Sequence, residues 1–313
     1  MDLKQNYIIF FIGIFSGFSQ NDSLQNRYFK SYEESATASL YYLDTSNNFD
    51  IIFMSEGEKI YLNLVPNKRE QIGVNLSYKF IDISYGYSPS FFAENKDNDD
   101  SKLFSFGTRL QFKKWMQSIT FINQKGFFIS EDNLTASFPR FRSTKIGGTT
   151  SYIFNENFSY KAITSQKEWQ TKSSGSFIPN FSFYYTNLDL NDGSDNTQSD
   201  IYVASLAPSY FYNLVLNNRF LASAGISAGI GFNVIDKEVS ALYELDASMK
   251  LAYNTNTFFT FINANYINFI QNATTAIRLN DNISILKVAL GYRFNPPKKV
   301  KEVYDNATKK IRL

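Results

Sequence analysis

The chain contains no histidine and no cysteine, although it has 313 residues. Without an imidazole or a thiol it cannot build a Ser-His-Asp triad, a Cys-His pair, a His-ligated metal site or a disulfide. The missing cysteine also excludes the lipid-modified residue on which a bacterial lipoprotein is anchored. We therefore predict no catalytic residue, no cofactor and no metal site, and we expect the protein not to be an enzyme.

An excess of one charge is also missing, because 31 basic residues face 29 acidic ones. A balance this close lacks the basic excess of a nucleic-acid-binding protein, so no nucleic-acid partner is expected. Two predicted loops are acidic, but neither has the spacing of a twelve-residue calcium loop, and both are interpreted as solvated loop tips. Their acidic residues are Asp97, Asp99 and Asp100, and Asp189, Asp192 and Asp195.

Long hydrophobic runs are absent after residue 20. The run Ile8–Phe18 follows Lys4 and is too short for a membrane-spanning helix, which needs roughly 20 apolar residues. This pattern predicts a cleaved signal peptide over residues 1–20, followed by an irregular lead-in over 21–36. An exported chain without an apolar helix can cross a membrane only as a closed β-barrel.

What the sequence does contain is alternation of apolar and polar residues with a period of two, in runs longer than the usual strand of a globular sheet. The clearest runs are Gln71–Lys79, Leu103–Phe112, Glu244–Tyr253 and Leu286–Phe294. Roughly 9 to 11 residues cross an outer membrane as a tilted strand. We therefore predict an all-β fold, a transmembrane antiparallel up-and-down barrel of 12 to 14 strands over residues 21–294.

Turns and loops alternate in length, as in outer-membrane barrels, which have short periplasmic turns and longer outer loops. Short turns are predicted at Lys79-Phe80, Lys113-Lys114, Asn155–Asn157, Asn217-Asn218 and Asn254–Asn256. Counting strands back from the C-terminus requires one more turn within Phe158–Leu190, which we place at Pro179-Asn180.

Charged residues on the polar faces of these strands would point into the lumen. They are Arg109, Lys161, Glu244, Asp246, Lys250, Lys287 and Arg293. Glu244 and Asp246 lie about 7 Å apart on one strand face and could act as an acid-base pair. A salt-bridge network is the favoured interpretation of all seven; it would either fill the lumen or line an opening.

One predicted strand carries a strip of small residues on its polar face: Ser223, Gly225, Ser227, Gly229 and Gly231. The strip either opens a groove through the lumen or lets the strand bend and pack closely against the long charged side chains of neighbouring strands. Close packing is the favoured interpretation.

The last alternating run ends in Gly291, Tyr292 and Phe294, and resembles the C-terminal signal that barrels present to the barrel assembly machinery. The blocks VPNKREQIGVNLSYKF, INQKGFFI, KSSGSF, SAGISAGIGF and GYRFNPPKK resemble a family of predicted outer-membrane barrels of Bacteroidota, described as a domain of unknown function. The resemblance spans residues 37–299. It implies a barrel and supplies no activity or catalytic residues.

The segment 295–313 begins with a Pro-Pro pair and is basic, with six Lys or Arg against two acidic residues. Val300, Val303, Tyr304, Ala307 and Ile311 recur at helical spacing, which suggests a short amphipathic helix, although a solvated tail is favoured. It is interpreted as a periplasmic tail that could close the barrel mouth or bind an envelope partner.

These observations place the protein in the outer membrane of a Gram-negative bacterium. The leading hypothesis is a narrow channel or transport barrel for a small or apolar solute. The first alternative is a closed-lumen barrel that binds another envelope component, and the second is a secreted soluble all-β binding protein. The expected partners are outer-membrane lipid, the assembly machinery and a periplasmic or surface component that binds the tail or the loops.

Overall fold

The computed structural model of the protein describes residues 28–32, 34–55, 58–79, 81–93, 100–131, 134–164, 166–190, 198–272 and 277–311. The predicted signal peptide and the acidic residues Asp97, Asp99, Asp192 and Asp195 lie outside these residues. Among the described residues, no helix has the length and apolar character needed to cross a membrane.

Within the described residues, fifteen strands and two helices follow one another. The strands are β1 Phe29–Ser31, β2 Ala36–Ser55, β3 Glu58–Pro66, β4 Glu70–Tyr78, β5 Ile81–Tyr87, β6 Lys102–Phe112, β7 Trp115–Glu131, β8 Leu134–Tyr152, β9 Glu168–Gln170, β10 Ser174–Asp189, β11 Gln198–Val215, β12 Phe220–Ile235, β13 Glu238–Asn254, β14 Phe258–Asn272 and β15 Ile277–Phe294. The helices are α1 Lys161–Thr164 and α2 Lys298–Ile311, and a 3₁₀ turn covers Ser90–Phe92.

Twelve strands form a closed antiparallel ring. The ring runs β2-β4-β5-β6-β7-β8-β10-β11-β12-β13-β14-β15, and β15 pairs back with β2 from Phe294↔Ala36 to Ile277↔Phe53. Every strand of the ring thus pairs with a neighbour on each side, and closure of this kind is what a membrane barrel requires. The predicted fold is thus confirmed, with a strand number at the lower end of the expected range.

One part of the wall is interrupted. Two strands, β3 and β4, pair one after the other with the same side of β2. The break between them, from Pro66 to Glu70, lies at the level where the short β5–β6 hairpin ends. Beyond that hairpin, β3 pairs directly with β7 from Leu64↔Ile129 to Pro66↔Phe127. β3 therefore closes the wall that β5 and β6 leave open.

The two faces of the ring follow the alternation in the sequence. Apolar side chains at every second position are exposed on the outside, as lipid-facing residues must be. Examples on the four predicted runs are Ile72, Val74 and Leu76; Phe104 and Phe106; Leu245, Met249 and Leu251; and Leu286, Val288, Leu290 and Tyr292. On these runs the intervening residues point into the lumen, where they are buried or half-buried.

The start of β2 and the end of β15 lie at the same rim of the barrel, together with the tight connections Lys113-Lys114, 216–219 and 255–257. We call this the short-turn rim. At this rim Lys79 pairs with Glu34, and Lys114 pairs with Glu156 at 2.7 Å. The lysine partner lowers the pKa of each of these two carboxyls.

Three expectations about the connections are wrong. Residues 21–36 are not irregular throughout, because Phe29–Ser31 forms β1 and pairs with β9. Asn155–Asn157 is not a tight turn between neighbouring strands, because β8 ends at Tyr152 and β10 begins only at Ser174. The turn expected at Pro179-Asn180 does not form, because both residues lie within β10.

Pro179 fits inside a strand because of its place in the ladder. A proline has no N–H to donate, so a strand tolerates it only where that bond is not needed. Pro179 lies one residue beyond the last pair between β10 and β8, which is Asn180↔Ser151. Its partner Pro208 lies in a gap of the β11–β12 ladder, between Leu206 and Ser209.

We predict that the outer face responds to charge according to its depth in the membrane. Ile226 near the middle of β12 and Val239 at the start of β13, close to the rim opposite the short-turn rim, are both 71% exposed. Ile226→Arg should destabilise the barrel by ~2–4 kcal/mol and Val239→Arg by only ~0–1 kcal/mol, because the cost of a lipid-facing Arg falls towards the interfaces. Reversible denaturant unfolding in lipid vesicles measures both; equal costs would contradict the lipid-facing assignment.

Candidate functional site

The connection between β8 and β10, residues 153–173, folds into the barrel from the short-turn rim instead of crossing to the next strand directly. We call this segment the plug. Ala162, Gln166 and Gln170 are completely buried, and Phe158, Ile163 and Trp169 nearly so. The plug ends in β9, which pairs with β1 in a small separate sheet. The lumen is therefore occupied at this rim by the chain itself.

The plug has its own polar framework, centred on Ser159. The Ser159 hydroxyl donates to Glu168 Oε2 at 2.6 Å and accepts from the backbone N–H of Ala162 at 3.0 Å, and so caps α1. The backbone N–H of Ser159 donates to Gln170 Oε1 at 2.8 Å. Glu168 also pairs with Lys161 at 3.3 Å. These bonds fold the plug into a compact unit around α1.

Two cations of the barrel wall hold the plug by its backbone carbonyls. Lys250 on β13 donates from Nζ to Ala162 O at 3.2 Å and to Ile163 O. Arg293 on β15 donates to Gln166 O from Nη2 at 2.6 Å and from Nε at 3.2 Å. We call Lys250 and Arg293 the carbonyl clamp. Carbonyls at the end of a helical turn carry partial negative charge, which favours cations at that position.

Aromatic rings complete the environment of the clamp. The Lys250 ammonium lies 4.0 Å from the centroid of the Phe261 ring, and the Arg293 guanidinium lies 3.9 Å from Tyr32 and 4.8 Å from Phe259. Such cation–π contacts are strongest where water is excluded, and both cations are nearly completely buried. Gly291 makes room for this packing, because a Cβ there would lie 2.0 Å from the Phe259 ring.

Further polar contacts fasten the plug around its circumference. Asn213 Nδ2 donates to Ser159 O at 2.9 Å, Trp169 Nε1 donates to Asn218 O at 3.1 Å, and Lys167 Nζ donates to Lys79 O. Tyr160 packs its ring against Phe211 of β11 at 5.2 Å. The plug is thus joined to strands on several sides of the ring.

The lumen beyond the plug, towards the rim opposite the short-turn rim, holds a second layer. Its buried apolar residues come from strands all around the ring: Phe49, Leu64, Phe127, Ile129, Tyr184, Leu188, Ile201, Val203, Leu242, Phe269 and Ile283. Within this layer Lys145 pairs with Asp281, and both are buried. Asp281 also accepts a hydrogen bond from the Asn47 side chain. This ion pair therefore has the additional hydrogen bond that a buried pair needs.

The seven charged residues expected in the lumen do point inward or lie in the plug, but they do not form one network. Lys250 and Arg293 meet at the plug carbonyls, and Lys161 is part of the plug itself. Lys287 lies over the Tyr41 ring at 4.0 Å. Arg109 lines a small cavity between the plug and the wall, together with Asp82 and Lys161.

Glu244 and Asp246 are neighbours on the inner face of β13, away from the clamp. Glu244 is buried and accepts hydrogen bonds from Ser205 and, at 3.4 Å, from Ser182. The oxygens of Glu244 are therefore engaged by serines of neighbouring strands. The serines account for Glu244 alone, because Oδ1 of the neighbouring Asp246 is buried without a hydrogen-bond partner.

The strip of small residues lies on the inner face of β12, as the alternation predicts. At Gly225 it is filled, because the Phe211 ring of β11 occupies the space and a Cβ would lie 2.2 Å from it. At Gly229 and Gly231 a Cβ would meet the backbone of β11 at 2.5 and 2.1 Å. The strip allows close packing, but of a neighbouring aromatic ring rather than of the long charged side chains that we expected.

Sequence reasoning missed the plug and most of its polar residues, among them Ser159, Gln166, Lys167, Glu168 and Gln170. The available signal was the strand count, which left an unassigned stretch within Phe158–Leu190. Lys145, which was also missed, lies at a buried position of β8. The predicted assembly signal lies at the short-turn rim, with Gly291 inward and Tyr292 outward, and its recognition stays a prediction.

We predict that Lys250→Met loosens the plug. Ala162→Cys would introduce the one thiol of the chain at a completely buried position, so a water-soluble maleimide reports plug release. Labelling should become about tenfold faster or more in Lys250→Met, because a buried carbonyl that loses its donor costs about 1–3 kcal/mol. Lys287→Met is the control, since Lys287 lies over the Tyr41 ring. Equal labelling in both variants would refute the clamp.

We also predict that Gly225→Ala destabilises the barrel by ~1–3 kcal/mol, because the added methyl overlaps the Phe211 ring. Gly107→Ala should be nearly neutral, since its nearest neighbour is Ser84 Oγ at 3.4 Å. The double variant Phe211→Ala/Gly225→Ala should recover the part of the loss caused by overlap. Unfolding midpoints in denaturant measure all three, and an undisturbed Gly225→Ala would favour an open groove.

Comparison with solved structures gives outer-membrane proteins at low similarity. The COG4313 outer membrane channel from Pseudomonas putida F1 has a TM-score of 0.39 and 11% identity, over 89% of this chain and 100% of the other. The outer membrane protease OmpT from Escherichia coli has a TM-score of 0.32 and 8% identity, over 85% and 98%. The P. putida toluene transporter TodX has a TM-score of 0.30 and 11% identity, over 84% and 90%.

Similarities this low say nothing about the activity of the protein. The assignment of a β-barrel rests on the strand pairing described above. No curated protein matches the chain. One protein family does match, over residues 20–294, which is nearly the whole of the sequence and includes every strand of the ring. The chain belongs to this family, which is described as a domain of unknown function, DUF4421.

Proposed function

We propose that the protein is a closed-lumen barrel of the outer membrane, whose role is to bind another component of the envelope rather than to let solute diffuse through. The carbonyl clamp is the observation that carries this proposal. Lys250 and Arg293 are buried cations: Lys250 donates to two plug carbonyls, and Arg293 donates to Gln166 O of the plug and, from Nη1, to Thr255 O at 2.9 Å. A plug that had to leave often would take the carbonyl acceptors of the Lys250 ammonium with it and remove one of the two acceptors of Arg293, which is costly for buried cations.

The second layer supports the same conclusion. Its apolar side chains meet from strands around the ring, beyond the plug, and Phe49 and Phe127 at its centre are completely buried. A barrel of 8 strands is filled by side chains and one of 16 to 18 leaves an aqueous channel, so 12 strands leave room that must be filled or left open. Here the plug and the apolar layer supply two independent obstructions in series.

A plug-gated channel for a small solute is the second candidate, and one feature favours it. The small cavity between the plug and β4–β6 is lined mainly by polar and charged groups, including Asp82, Arg109 and Lys167. Gln111 Oε1 in the same lining is buried and has no hydrogen-bond partner. If the plug moved, a path lined by polar groups would open first at this cavity.

Conductance in planar bilayers tests the proposal. The refolded wild-type protein should be silent while remaining heat-modifiable in gel electrophoresis, which shows that the barrel is folded. Lys250→Met/Arg293→Met should also stay silent, because the apolar layer still closes the lumen. Steady single-channel steps in the wild type would overturn the proposal, and steps confined to the double variant would establish the gated channel instead.

A further inference from the structure

Helix α2 lies outside the ring, at the short-turn rim. It begins at Lys298, directly after Pro296 and Pro297, which end the last strand. Tyr304 contacts the ring of Tyr78 at the end of β4, with the ring centroids 5.4 Å apart. Lys301 is close enough to Glu34, next to the start of β2, to lower the pKa of that carboxyl. The helix therefore runs along the rim beside β15, β2 and β4.

The Tyr78 contact shows on which side of the wall α2 lies. Ile72, Val74 and Leu76 form the outward, lipid-facing row of β4 and are exposed. Tyr78 continues this row by alternation but is only 9% exposed. Since Tyr304 packs on Tyr78, α2 sits on the outer side of the barrel, at the edge of the lipid-facing belt.

The helix itself is amphipathic. Val300 and Val303 lie on the same face as Tyr304 by helical spacing, and Val303 is 69% exposed. Lys298 and Lys299 are exposed on other faces of the first turn. The segment 298–313 carries six basic and two acidic side chains, a net charge of +4. An apolar face bordered by lysines is typical of helices that lie in a membrane interface.

We propose that α2 is an interfacial membrane helix, whose Val300–Val303 face enters the lipid at the short-turn rim and whose lysines bind anionic phospholipid headgroups. Two observations choose lipid as the occupant. The apolar face continues the lipid-facing row of β4 through the Tyr304–Tyr78 contact, and the charge of the segment is complementary to an anionic lipid surface. This inference depends on the barrel and not on whether its lumen is closed.

The cysteine-free sequence allows a direct test on the full-length protein in vesicles. An environment-sensitive fluorophore is attached to Val303→Cys or, as the matched control one residue away, to Glu302→Cys. The label at 303 should emit at shorter wavelength, resist aqueous iodide and be quenched by spin-labelled lipid; the label at 302 should behave in the opposite way. Iodide quenching that is equal at the two positions would overturn the proposal.

Lipid charge is tested by comparing vesicles of phosphatidylcholine alone with vesicles that also contain phosphatidylglycerol. The anionic lipid should increase protection of the label at 303, and salt should reduce this increase. Lys298→Gln and Lys299→Gln should each lower the ratio of docked to free helix by about fivefold in the anionic vesicles. Glu302→Gln is the control of opposite charge: it removes a negative charge and should not lower the ratio of docked to free helix.

Two other results would also overturn the proposal. Protection at 303 that is the same in both kinds of vesicle would remove the headgroup specificity. Self-quenching between labelled copies, with no quenching by spin-labelled lipid, would mean that a second copy of the chain covers this face. Heat modifiability of every variant verifies that the barrel is folded, so a loss of protection reports the helix and not the ring.

Discussion

The pairing of the first and last long strands is the constraint on which the rest of the structure depends. β15 and β2 are hydrogen-bonded along nearly their whole length, from Phe294↔Ala36 to Ile277↔Phe53. This pairing turns a sheet into a ring, and only in a ring does every second residue acquire a lumen to point into. The same alternation that places Leu290 and Tyr292 in lipid therefore sends Arg293 inward, where it reaches the plug.

Closing twelve strands creates a space that the wall side chains do not fill by themselves, and the protein fills it in two chemically different ways. Towards the rim opposite the short-turn rim, apolar side chains of the wall meet directly, and the Lys145–Asp281 pair is embedded among them. Near the short turns, a backbone segment is brought in, and its buried carbonyls need donors. Lys250 and Arg293 satisfy part of that need by donating to Ala162 O, Ile163 O and Gln166 O. Arg293 also donates to Thr255 O, so backbone carbonyls, most of them in the plug, account for the burial of both cations.

The fold was predictable from the sequence because one pattern recurs in almost every strand: apolar residues that face lipid alternate with polar residues that face the lumen. The faces of the run containing Phe104 and Arg109, for example, follow from that rule alone. The plug was not predictable, because residues 153–173 carry no periodicity and their burial is decided by contacts to strands far along the chain, such as β13 and β15. The inward direction of Lys250 could be read from the sequence, but its carbonyl partners in α1 could not.

The order in which contacts can form follows from where the clamp residues lie in the chain. The plug precedes β10, yet it is held by Lys250 on β13 and Arg293 on β15, and β9 pairs with β1 ahead of the first ring strand. Tyr32, which stacks on the Arg293 guanidinium, likewise lies between β1 and β2. The plug site is therefore complete only once β15 has paired with β2, since that pairing brings Tyr32 and Arg293 together. Docking of the plug is thus coupled to closure of the ring, and a barrel that failed to close would lack the site that fills its lumen.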